Sequence, residues 1–274
     1  MTIWQNMKRF SEKHSRKIVV GDKTWQYYCL GTGPPVLWLT GGLRRAAFGY
    51  SFLEKLSVHH LVIAPDYPPV LTIEAFNVAF DAILQVEGVR SVVLAGQSYG
   101  GMLAQAYLAH NPTAVERLIL SSSRPADYGK AWLPVESACI ALARLLPERS
   151  LKNMLAGGLL KLITVSESDR AEWSEALNHI MQDELTRADV ISHFAVAADL
   201  IRKGSIKPAA YASWSGRITV LSAKNDPTQD KKDFPRYEKL FGRSVNVVNT
   251  GDMGHAGVLS DPDKYVELMD KVLN

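Results

Sequence analysis

An apolar run, Val92-Val93-Leu94-Ala95, passes without a break into Gly96-Gln97-Ser98-Tyr99-Gly100. Met102, Leu103, Ala104, Tyr107 and Leu108 then follow at helical spacing. A buried strand that turns at once into a helix forces the turning residue into strained backbone geometry, and its neighbours two positions away must be small. Gly96 and Gly100 meet that demand, so the G-x-S-x-G pattern predicts a nucleophile elbow. It would push the Ser98 hydroxyl clear of a sheet and leave the Tyr99 N–H at a helix start, where backbone donors lack partners.

The flanking chain predicts what the elbow sits in. Ile18–Val20 and Thr24–Leu30 read as a hairpin turning at Gly21-Asp22, and residues 1 to about 16 as a loose or surface-docked arm. Pro35–Thr40, His60–Pro65, the elbow strand and Val115–Ser121 are apolar strands separated by helical patterns, the signature of a doubly wound, mostly parallel sheet in an α/β fold. From Pro125 to Ala210 the alternation gives way to helices, one starting at a Thr186/Asp189 capping box. Strand and helix patterns then resume from Ile218. The expected organisation is a core of residues 1–124 and 211–274 carrying a helical lid at 125–210. The first two lid helices hold Ile140, Leu142, Leu145, Leu146, Leu155, Leu159, Leu160, Leu162 and Ile163, enough apolar surface either to line an acyl pocket or to pack helix on helix.

Composition narrows the function. The net charge of +3 comes from well-mixed residues with no basic stripe, so nucleic acid is not an expected partner. The two cysteines, Cys29 and Cys139, make no disulfide framework or metal spacing and fit a reducing compartment. No run is apolar enough for a membrane span and the N-terminal stretch is not a signal peptide, so a soluble, cytoplasmic protein is expected. G-x-G-x-x-G, a Walker lysine and H-E-x-x-H are all missing, and no cofactor or metal is expected.

A serine needs a base, and the base needs a carboxylate to orient it. Of seven histidines, His14, His59, His60, His110, His179 and His193 read as surface or capping residues. His255 lies in the glycine-flanked loop Gly251–Gly257 between the last strand and last helix, at the sheet edge expected to carry Ser98. Asp226 directly follows the strand Ile218–Ala223, although Asn225-Asp226-Pro227 also reads as a plain turn. Asp66 and Asp127 are reserves, while Asp230 and Asp233 read as solvated charges.

The order Ser98, Asp226, His255 at strand ends resembles the α/β-hydrolase superfamily with a helical lid. The resemblance implies Ser98 as nucleophile, His255 as general base, Asp226 as orienting acid, and an oxyanion hole from the N–H of Tyr99 with that of Gly42 or Leu43. It implies hydrolysis of a carboxylic ester or related small, apolar acyl substrate, or the same triad turned to C–C, thioester or lactone cleavage. Two stretches depart from the usual pattern. Thr40-Gly41-Gly42 replaces the common His-Gly, and Asp66-Tyr67-Pro68-Pro69-Val70 is short and similar to the maspardin-like branch, whose best-known members are binding proteins. A non-catalytic adaptor on this scaffold is therefore the second expectation. Arg44-Arg45 reads either as a solvated pair or as a carboxylate-binding one, and the oligomeric state is left open.

Overall fold

In the computed structural model the strand before Ser98 lies inside an eight-stranded sheet, with a parallel strand on either side. The structure describes residues 1–273, and of Glu167 and Ser168 the backbone only. The chain runs α1 (Ile3–His14), β1 (Ser15–Val20), β2 (Lys23–Leu30), β3 (Pro35–Leu39), α2 (Tyr50–Leu56), β4 (Leu61–Pro65), α3 (Ile73–Val86), β5 (Val92–Gln97), α4 (Tyr99–His110) and β6 (Val115–Ser121). Helices α5 (Leu133–Leu145), α6 (Glu148–Leu160), α7 (Glu167–His179), α8 (Arg187–Lys203) and α9 (Pro208–Tyr211) come next. Then follow β7 (Arg217–Ser222), α10 (Asp233–Phe241), β8 (Asn246–Asn249), α11 (Gly257–Ser260) and α12 (Pro262–Leu273).

The strand order is β1-β2-β4-β3-β5-β6-β7-β8. The β1–β2 and β2–β4 pairs are antiparallel and all the others parallel. Parallel strands are covered on both faces, which is why β3, β4 and β5 read as continuous apolar runs. Their alternate residues still divide between two cores. Leu37, Leu39, Ile63 and Leu94 meet Phe76, Phe80, Leu103 and Tyr107 of α3 and α4 on one face. Val36, Trp38, Val62 and Ala95 meet Phe52, Leu53, Tyr265 and Met269 of α2 and α12 on the other. All the parallel strands point their C-terminal ends the same way, and the loops that follow β3, β5, β7 and β8 gather there.

One expectation needs correction. The N-terminal arm is a helix, α1, started by a Thr2/Gln5 capping box and docked through Met7 and Phe10, each 2% exposed. Trp4 stacks on His179 of α7 at 4.7 Å, tying this helix to the inserted segment. The Thr186 capping box is present, with Asp189 accepting from the Thr186 N–H at 2.9 Å. Among the described residues no helix is long and apolar enough to cross a membrane.

Candidate active site

Ser98 stands between β5 and α4 at φ 54° and ψ −116°, a left-handed conformation rare for a residue with a side chain. The turn closes so tightly that a Cβ on Gly96 would sit 2.4 Å from the Gly100 carbonyl oxygen, and one on Gly100 2.0 Å from that of Leu39. The Ser98 N–H donates to the Ser121 carbonyl at 2.8 Å, pinning the elbow to the neighbouring strand.

The structure brings Ser98, His255 and Asp226 together. His255 Nε2 lies 2.9 Å from Ser98 Oγ, and His255 Nδ1 lies 3.1 and 3.2 Å from the two oxygens of Asp226. An ionised carboxylate only accepts, so Nδ1 carries the proton and Nε2 offers its lone pair to the serine hydroxyl. Burial by itself raises the Asp226 carboxyl, but hydrogen bonds from His255 and Thr228 outweigh that and hold it at about 2. The histidine loop is clamped from two sides. Asn225 accepts from the Gly254 N–H at 2.9 Å and donates to the Asp252 carbonyl at 3.0 Å, while Gln97 donates to the His255 carbonyl at 3.2 Å.

Thr228 is a site residue that the sequence reading missed. Its N–H and hydroxyl donate to Asp226 Oδ1 at 2.8 and 2.7 Å, and its Oγ1 lies 2.9 Å from His255 Nδ1. With its only proton on the carboxylate, that oxygen accepts from Nδ1–H and shares the imidazole proton with Asp226. The signal lay in Asp226-Pro227-Thr228, where a hydroxyl two residues after an aspartate can close back on it.

After β3, Gly41 to Arg44 form a turn closed by the Arg44 N–H on the Gly41 carbonyl at 3.0 Å. Among the described residues, the N–H groups of Gly42, Leu43 and Tyr99 have no protein acceptor, and all three residues line the cavity over Ser98. The turn leaves both Gly42 and Leu43 available beside Tyr99.

Arg44 and Arg45 are not a solvated pair. Arg44 is 2% exposed at φ 65° and donates to the Pro68 carbonyl at 2.8 Å and to Ser192 Oγ at 3.0 Å. Both arginines lie within 3.6–3.7 Å of Asp189 at the start of α8. Arg45 also pairs with Glu184 at 3.4 Å, so the two arginines tie the Gly41–Arg44 turn to α8 and the residues before it with two carboxylates of the chain as their counter-charges. His193 of α8 is likewise no capping residue. It stacks on Tyr99 at 4.1 Å, lines the cavity, and would meet a Cβ on Gly42 at 3.1 Å. Burial, aided by the Arg44 charge, lowers it to about 3 and keeps the ring neutral.

The reserve carboxylates are engaged elsewhere. Asp66 is buried and accepts from the Ala46 N–H at 2.7 Å, and burial raises it to about 6. Asp127 pairs with Arg236. Asp233 is 1% exposed rather than solvated, bridging Arg124 and Arg236. His60, His110 and His179 pair with Asp270, Asp81 and Asp183. The cavity itself measures about 420 Å³. Its floor is Ser98 and His255, and Leu159, Leu162, Ile163, Leu177 and Phe194 come from the inserted segment. Leu142 and Leu145 face outward, at 45% and 82% exposure.

A family model described as "Alpha/beta hydrolase family" matches residues 33–268. The chain belongs to the α/β-hydrolase family. Among solved structures, a thermophilic esterase from Thermogutta terrifontis is similar at 20% identity and TM-score 0.74, over 94% of this chain and 97% of that one. The esterase RhEst1 from a Rhodococcus species is similar at 18% identity and TM-score 0.72, over 95% and 98%. A haloalkane dehalogenase loop variant from Bradyrhizobium elkanii follows at 18% identity and TM-score 0.68, over 94% and 95%. Likeness at these identities speaks for the shared fold and not for one reaction. No curated protein matches the sequence.

Proposed function

We propose that this α/β-hydrolase is a serine hydrolase of carboxylic esters or related acyl compounds. The observation that carries the reading is a hydroxyl at a strained elbow, 2.9 Å from an imidazole nitrogen whose partner nitrogen faces a buried carboxylate. A protein that only bound ligands would gain nothing from that strain. His255 Nε2 takes the Ser98 proton as Oγ attacks the acyl carbon, and the Tyr99 N–H with that of Gly42 or Leu43 receives the developing oxyanion. Each such donor is worth about 2.7–4 kcal/mol in the transition state. The imidazolium, held by Asp226, returns its proton to the leaving alkoxide and frees an alcohol. Water, deprotonated by the same histidine, then attacks acyl-Ser98, and collapse releases the acid and restores the hydroxyl.

Residues 125–210 act as the lid in this reading and 1–124 with 211–274 as the core. Leu159, Leu162 and Ile163 supply an apolar wall for the acyl chain, and a cytoplasmic setting suits the free Cys29 and Cys139. The test is labelling with a fluorophosphonate probe, which should modify the native chain stoichiometrically and Ser98→Ala not at all. Ester turnover should fall by about 10⁴ or more in Ser98→Ala and His255→Ala alike, because the two act as one unit. An unlabelled but folded native chain would favour the adaptor.

A further inference from the structure

The cavity over Ser98 holds a carboxylate that this reaction does not use. Glu136, in the first turn of α5, lines the same cavity as Ser98. It is partly buried, and among the described residues no hydrogen-bond donor or basic side chain is paired with it. Burial raises its carboxyl above the usual range with no neighbouring cation to offset the effect. Tyr99 and Tyr128 both lie within reach of its charge, and with Phe194 they present aromatic surface to the cavity. The α5 helix packs along α8, which brings Glu136 to the wall carrying His193 and Phe194.

Other charges nearby are already matched. Arg124 lines the cavity, but Asp233 takes its Nε at 3.0 Å and its Nη2 at 3.3 Å. Arg44, behind Tyr99, faces Asp189. Filling the cavity with a purely apolar group would strip water from Glu136 and leave its charge unpaired, at considerable cost. An ammonium group would instead supply the missing counter-charge and meet the aromatic faces, which attract cations through their ring quadrupoles.

We propose that the cavity takes acyl substrates bearing an ammonium group, with Glu136 as counter-ion and Tyr99, Tyr128 and Phe194 as the aromatic faces around it. This rests on the serine hydrolase reading, so the test separates the two. In Ser98→Ala, which cannot turn over, calorimetry compares γ-trimethylammoniobutyrate methyl ester with its neutral isostere, in which carbon replaces nitrogen. A choline ester and its carbon isostere form a second pair, with the cation on the alcohol side. In at least one pair the cation should bind roughly tenfold tighter or more. Glu136→Gln in the same background should erase the difference, and Tyr128→Leu should reduce it. Equal binding within both pairs, or a preference that survives Glu136→Gln, overturns the proposal and leaves Glu136 as a helix-end charge. Turnover of a neutral p-nitrophenyl ester by the native chain but not by Ser98→Ala would uphold the serine chemistry whichever way the binding falls.

Discussion

Replacing Thr228 by valine tests how the carboxylate end of the site works. The change preserves shape and β-branching and removes only the hydroxyl that donates to Asp226 Oδ1 at 2.7 Å. A hydrogen bond to a charged group contributes about 1.5–3 kcal/mol, so the variant should lose that much stability, roughly 3–6 °C in Tm. Asp226 keeps the Thr228 N–H at 2.8 Å and both contacts to His255, so it rises from about 2 but stays ionised at any assay pH.

The imidazole also loses the oxygen at 2.9 Å from Nδ1 that shares its proton, and with it part of its alignment on Ser98. On the pH plateau kcat should fall about tenfold with KM little changed, the pattern for an interaction that matters only in the transition state. Thr228→Ser should restore most of both effects. The measurement is steady-state kinetics with a p-nitrophenyl ester for the three proteins, alongside thermal melts. A valine variant with native kcat and native Tm would refute the reasoning, and so would a serine variant as impaired as the valine one.

Further outcomes follow from the same geometry. His193 is held neutral down to about 3 against an ordinary 6.5, so the unfolded chain binds the extra proton between those values and stability falls as pH drops through that window. His193→Phe should thus shift the acid-unfolding midpoint downward, and an unchanged midpoint would mean that the ring is not desolvated. Asp66 has the opposite sign: raised from 3.8 to about 6, it lowers stability as pH rises through that range and partly masks the histidine, so the two are best compared as variants. Gly100→Ala should fail to fold or melt many degrees lower, because its Cβ would meet the Leu39 carbonyl at 2.0 Å, whereas Gly129→Ala, with nothing within 4 Å, should be silent in the same melt. Leu159→Ala should move the optimum of a p-nitrophenyl ester series to longer acyl chains, at roughly 0.8 kcal/mol per buried methylene, while the outward Leu142→Ala leaves the optimum in place.

What could be read in the sequence, and what could not, divides by the range of the interactions involved. The sheet was legible because β3, β4 and β5 are buried on both faces and so carry unbroken apolar runs. Asp226 and His255 were legible because parallel strands deliver every following loop to one edge, so a position just past a strand end fixes a place in space. Helix α1 escaped although Ile3, Met7 and Phe10 are spaced for a helix face, since dense charge between them hid a short stripe. The misread charges share another cause. Arg44 pairs with Asp189, 145 residues away, and donates to Ser192, 148 residues away, and Asp233 pairs with Arg124, 109 residues away. No local pattern announces such partners, so an arginine destined for burial looks like any surface arginine. The same reasoning sets Glu136 apart. Fold-level pairing has given buried charges such as Arg44, Asp189, Asp226 and Asp233 a partner from elsewhere in the chain, while this partly buried carboxylate over the nucleophile has been given none among the described residues. A chain that matches charge across a hundred residues, and among its described residues leaves Glu136 without a partner in the cavity, offers that place to a cation, which is what the paired ligands test.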